Sequence, residues 1–197
     1  MDAATFRSLA TAPIVTGHAV DLRNLQVSAP LDLTNATLGN VDVSGTRFSA
    51  TVVCRGATFA GLAWFKSCVF EAGADFSGSV FESDARFDDA QFKAALSFER
   101  AELRGANAFD QARFSGNATF QAATAFGNVS FARSVFEQPA DFRGLECQGG
   151  LWLDATVFQS GAGFGGAEVH GRTWLRNTPG VSAGVGEQLT HYGYVYR

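Results

Sequence analysis

Few residues in this chain have the types and spacing that chemistry needs. Gly161-Ala162-Gly163-Phe164-Gly165-Gly166 carries the GxGxxG spacing. That spacing cradles a pyrophosphate when it follows a strand, opens a helix and has an acidic residue further on. Here it falls inside a repeat of apolar residues, with Phe164 on the repeat and Gly161 and Gly166 at its breaks, so its glycines read as corners. Cys54, Cys68 and Cys147 are odd in number and contain no CxxC pair, which argues against a zinc site or a disulfide framework. Their usage points to a reducing compartment, and a cytoplasmic location is expected. His18, His170 and His191 lie far apart without ligand or acid–base spacing. Carboxylates are plentiful but form no constellation for catalysis. No catalytic residue, metal or cofactor is expected. One set of large residues does keep step: Trp64, Trp152 and Trp174 are 88 and 22 residues apart, and 88 is four times 22.

That interval belongs to the elements that must position them. From Phe48 to Leu175 an apolar residue recurs at intervals alternating between six and five, beginning Phe48, Cys54, Phe59, Phe65, Phe70, Phe76. Ala125 is the one small residue on this ladder, and every Phe except Phe6 and Phe126 lies on it. Upstream, Leu22, Val27, Leu33, Leu38 and Val43 follow the same rule, with a residue missing between Leu38 and Val43. Neither a helical period nor one long strand produces this pattern. A short strand does, when the ladder residue and the one two before it point inward and their neighbours outward. The inner spacer is small or apolar, as at Ala74, Ser79, Ala85 and Ala90. Glycine two residues after the ladder position, as at Gly45, Gly56, Gly78, Gly105, Gly116 and Gly149, predicts corners with positive φ. The six-residue intervals hold one extra residue, among them Gly73, Asp84, Asn117, Asn128, Gly150 and Gly161, which predicts left-handed or bulged backbone there.

ADFSG (74–78), ARFSG (112–116), ADFRG (140–144) and ATFAG (57–61) are similar to the A(D/N)(L/F)xx unit of the pentapeptide-repeat family. The resemblance spans about Asp21–Leu175 and implies a right-handed β-helix of square cross-section with one repeat per face. The alternation of five and six independently favours four faces, because a 22-residue coil then repeats identically. The expected fold is all-β: a right-handed quadrilateral parallel β-helix (solenoid) of about seven coils with short N- and C-terminal caps. Residues 1–20 are the expected N-terminal cap, with a helical turn started by Asp2 and with Phe6 and Leu9 on one side. Residues 21–176 form the β-helix. Residues 177–197 form a C-terminal cap or self-association segment, a candidate homodimer contact, with Tyr192, Tyr194 and Tyr196 on one side of an alternating stretch.

A net charge of −4 disfavours direct nucleic-acid binding, and no stretch is long and apolar enough for a membrane span. The resemblance implies a further role, since some members inhibit or protect DNA gyrase by imitating the shape and charge of duplex DNA. The wall through Phe59 has Glu82, Glu102, Glu146 and Glu168 against Arg104, a net of −3, and the walls through Phe76, Phe70 and Phe65 come to −1, +1 and 0. One moderately acidic wall imitates DNA thinly. The three tryptophans are more telling, because the ladder does not require them. All sit one residue before a ladder position on a single outward column, beside Asp88, Asp110 and Asp154. Exposed, aligned aromatics suggest an interaction surface. The expected function is therefore a non-enzymatic protein-interaction module or scaffold working through its outer walls. Its candidate surface is Trp64, Trp152, Trp174, Asp88, Asp110 and Asp154. A DNA-mimicking gyrase or topoisomerase inhibitor, or an antibiotic-resistance protein, is the alternative.

Overall fold

In the computed structural model, which describes residues 1–15, 17–178 and 188–197, the ladder folds into strands of two or three residues. Pairs this short cannot stand alone, so each strand pairs in parallel with the strand one coil before and one coil after it. Ala85 is in register with Ala63 and Asn107, and Phe92 with Phe70 and Phe114. The strands collect into four sheets of nine, seven, seven and eight, a parallel quadrilateral solenoid. The missing residue between Leu38 and Val43 shortens the first coil: Val20 pairs with Val41, and Val41 with Ala63.

The sheets make about eight turns, not seven, and the extra rung comes from the C-terminal segment. Leu189–His191 pairs in parallel with Ala167–Val169, and Val195–Tyr196 pairs in parallel with Thr173–Trp174. Tyr192 and Tyr196 therefore lie on adjacent walls with Tyr194 at the corner between them, and the three do not share a side.

Four inward columns fill the interior. Phe48, Phe70, Phe92, Phe114, Phe136 and Phe158 stack with ring centroids 4.2 to 5.2 Å apart. Phe76, Phe98, Phe120, Phe142 and Phe164 form a second stack at 4.7 to 5.3 Å. Neighbouring columns meet edge to face, as Phe87 and Phe98 do at 5.5 Å and 90°. The column running Phe59, Phe81, Leu103, Ala125, Cys147 and Val169 is fully buried and turns to smaller side chains after Phe81, so the shared interior fills without overpacking. Burial of each Phe contributes roughly 1.5–3 kcal/mol, which makes this ladder the main source of stability.

The two interval lengths correspond to two kinds of corner. A five-residue interval follows the Phe65 and Phe76 columns, where the ladder carbonyl accepts from the N–H three residues on, as in Cys68 to Phe65 at 3.2 Å and Ser79 to Phe76 at 3.1 Å. The residue two after the ladder position has positive φ there, whether glycine (Gly78) or not (Ser67, Asp89, Arg100, Ala122). At six-residue intervals the expectation of positive φ fails. Gly105, Gly116 and Gly149 are glycines because the preceding coil lies too close: an added Cβ would stand 2.3 to 2.4 Å from its backbone. Of the extra residues expected to be left-handed, Gly161 is, whereas Asp84 and Asn128 instead accept through Oδ1 from the N–H of Ala106 and Gly150 one coil on.

The helix Ala3–Ala10 covers the first coil. Asp2 caps it by accepting from the N–H of Thr5 at 2.9 Å. Phe6 packs edge to face on Phe48, and Ala10 fills the position expected for Leu9, which is 41% exposed. The buried pair is thus spaced by four residues, one helical turn, and not by three.

Candidate functional site

The nine-stranded sheet carries the tryptophans. Its outward column runs in register from Trp64 through Arg86, Ala108, Ser130, Trp152 and Trp174 to Tyr196. Trp152 and Trp174 stack with centroids 6.4 Å apart and planes 14° from parallel. Tyr196 closes on the other face of Trp174 at 4.1 Å and 10°. The indole of Trp174 is therefore sandwiched, and its Nε1 is buried with no partner among the described residues. Trp64 does not join this stack; it stands apart at 36% exposure with the Lys66 ammonium 5.6 Å from its ring centre.

Trp152 lies folded against the corner at Gly150. A Cβ on Gly150 would meet Cζ3 of the ring at 2.6 Å, so glycine at that corner is what lets the ring lie down. The equivalent corner positions one and two coils earlier carry Asn128 and Ala106. The face of Trp152 turned away from Trp174 closes one end of a groove of about 380 Å³. Arg86 stands at the other end, Ala108 and Ser130 make the floor, and Asp110, Ala132 and Asn128 form the flanks.

The polar groups around the groove are partly committed. Nε and Nη2 of Arg86 donate to the two carboxylate oxygens of Asp88 at 2.8 and 2.9 Å. Hydrogen bonding to Asp88, with Asp110 and Asp84 adding their charge, raises the guanidinium above its ordinary pKa. Oδ1 of Asp110 accepts from the Ser130 hydroxyl and from the N–H of Ala132. Asp154, on the same column as Asp88 and Asp110, has no ion pair among the described residues. The structure thus brings Trp152 and Asp110 to one groove, with Trp174 stacked behind Trp152 and Asp88 paired to Arg86 at the far end, and leaves Trp64 outside it.

A longer groove of about 710 Å³ runs along the wall through Phe76. Its floor is made by Val53, Ser97, Thr119 and Gly163, and Arg55 and Arg143 along it are tied to Asp75 and Asp141. Sequence reasoning missed it, because a run of small outward residues gives no positive signal. It holds no large aromatic side chain and its arginines are already paired, so it offers less for recognition.

The remaining candidates take structural places. Gly161 and Gly166 have positive φ at corners, Phe164 is buried, and the segment after the motif is the strand Ala167–Val169, not a helix. Burial pushes the thiols of Cys68 and Cys147 up to about 12 and that of Cys54 higher still. Among the described residues no group of His, Cys, Asp and Glu has metal-binding geometry. No described helix is long and apolar enough to cross a membrane. On the acidic wall Arg104 bridges Glu82 at 2.7 Å and Glu102 at 2.9 Å, and His170 lies 3.6 Å from Glu168.

A family model described as pentapeptide repeats (nine copies) matches residues 55–102 and 98–146, the middle of the solenoid. No curated protein matches the chain.

Proposed function

We propose that the chain, which is a pentapeptide-repeat protein, works as a non-enzymatic interaction module and binds another protein through its tryptophan wall. The observation that carries this reading is the groove in which one face of Trp152 meets a floor of small residues, Ala108 and Ser130. Among the described residues the four columns fill the interior with apolar side chains, which favours recognition by the outer walls. Large aromatic anchors beside a pocket are the usual energetic centre of a protein interface. The test is affinity capture from extract of the cell the protein comes from, with wild type and Trp152→Ala compared after circular dichroism has shown both to be folded. Loss of a captured protein in the variant supports the reading, and an identical set of partners sinks it.

A gyrase-directed role as a DNA mimic draws less support. Its charge would come from the wall through Phe59, and there Arg104 spans two of the four glutamates, Glu82 and Glu102. A supercoiling assay showing neither inhibition nor protection from a gyrase drug would dispose of it.

A further inference from the structure

The groove on the tryptophan wall interrupts a ladder of planar groups. Trp152, Trp174 and Tyr196 stack on one side of it and Arg86 stands on the other, while Ala108 and Ser130 leave two rungs without a large side chain. Three strand spacings separate the backbones of Arg86 and Trp152, roughly 14 Å, which leaves space for a planar group against the open face of Trp152. The wall as a whole carries no net charge, but acid outweighs base beside the groove. Asp110 uses one carboxylate oxygen on Ser130 and Ala132, and its Oδ2 has no partner among the described residues. The single charge of Arg86 is outnumbered by Asp84, Asp88 and Asp110, all of which act on it. Lys66 and Arg176 stand on the same outer column, but among the described residues neither pairs with Asp110 or Asp154.

We propose that this groove receives an arginine side chain from a partner protein, its guanidinium flat against Trp152 and donating to the free oxygen of Asp110. The proposal rests on reading the wall as an interaction surface, and it names the chemistry of the partner. A guanidinium is planar, weakly hydrated, stacks on aromatic faces and forks onto a carboxylate. Lysine would meet the charge without the stacking. A glutamate would face Asp110 as a like charge, and a purely apolar side chain would cover Asp110 without compensating it.

The experiment is a fluorescence-anisotropy titration of the full chain with a labelled hexapeptide of alternating glycine and arginine. Matched peptides carry lysine, citrulline or glutamate in place of arginine. The arginine peptide should saturate, the lysine peptide bind more weakly, and the glutamate peptide not bind. Asp110→Asn keeps an oxygen to accept from Ala132 and should raise Kd about fivefold, as should Trp152→Leu. Asp141→Asn, on another wall, should leave Kd unchanged. Equal binding of arginine and glutamate peptides overturns the proposal, and so does wild-type affinity in both Asp110→Asn and Trp152→Leu. Should Trp152→Ala lose a captured cellular protein while the arginine peptide ignores the groove, the interaction reading stands and this one falls. If both experiments are negative, both fall.

Discussion

Tyr196 stacks on Trp174 with ring centroids 4.1 Å apart, so the last strand of the chain closes the face of Trp174 that Trp152 leaves open. A stacked aromatic pair contributes about 0.5–1.5 kcal/mol beyond the area it buries. Tyr196→Ala should therefore lower Tm by roughly 1–6 °C, at about 2–4 °C per kcal/mol for a chain of this size. It should also shift tryptophan emission to the red as Trp174 meets water. Tyr196→Phe keeps the ring and should do neither. An unchanged emission maximum in Tyr196→Ala would mean that Tyr196 does not cover Trp174 in solution.

The same end of the solenoid should loosen in acid. His191 holds an inward ladder position in register with Val169; its Nδ1 lies 3.0 Å from the Thr173 hydroxyl, and its Nε2 is buried without a partner among the described residues. Burial, and secondarily the charge of Arg197, lowers its pKa below the ordinary 6.5. A folded value below the unfolded one means that the unfolded end binds protons more readily. The contribution of His191 is then fully present above 6.5 and is lost as pH falls from there through the lower folded value. Tryptophan emission should move reversibly to the red between about pH 7.5 and pH 5, and His191→Gln should flatten that response. A flat profile in the wild type would contradict the burial of His191.

The two kinds of corner make opposite demands on glycine. At Gly116 an added Cβ would stand 2.4 Å from the backbone carbon of Ala94, and neither strand can move without breaking the register of the stack. At Gly78, with φ of +62°, there is nothing within 4 Å, and Arg100 and Ala122 hold the same position on later coils. Gly116→Ala should cost about 3 kcal/mol or more, as severe overpacking does. Gly78→Ala should cost about 1–2 kcal/mol, the penalty of a left-handed L-residue. Urea denaturation of the two variants settles the order, and a costlier Gly78→Ala would reverse the assignment of the corners.

How much of this was legible in the sequence depends on whether a residue type reports the property at issue. The Phe columns were legible because burial selects for bulk at a fixed spacing, and the 22-residue column that aligned Trp152 with Trp174 followed from it. The reason for each glycine was not, since Gly78 and Gly116 look alike in a sequence although one answers to φ and the other to a neighbouring coil. The extra rung was hidden because the ladder positions that continue it are His191 and Arg197, which an apolar pattern passes over. The site beside Trp152 was legible through the tryptophans that mark its column, but the way the Trp152 ring lies down depends on Gly150, which spacing alone marked only as a corner.

That dependence allows the groove to be filled without removing a charged residue. Gly150 is the corner on which the Trp152 ring rests, and Asn128 occupies the same corner one coil earlier, with its Oδ1 accepting from the N–H of Gly150 at 2.9 Å. Ser130 is in register with Trp152. Asn128→Gly with Ser130→Trp therefore repeats the Gly150–Trp152 pair one rung earlier and extends the aromatic stack into the groove. Losing the Asn128 bond and the Ser130 hydroxyl bond to Asp110 costs about 2.5–4 kcal/mol, and the new stack returns about 0.5–1.5, so the double variant should fold with a midpoint below the wild type. Ser130→Trp alone loses the same bond to Asp110 and, with Asn128 still in the corner, about 1–3 kcal/mol more through overpacking. A partner that inserts a side chain against Trp152 finds its place taken in the double variant, and its affinity should fall more than about tenfold, a loss of at least 1.4 kcal/mol. Asp110 and Asp154 remain in place, so a partner held only by the charge of the wall would bind as before. A folded double variant that keeps wild-type partner affinity would move the interface to another wall.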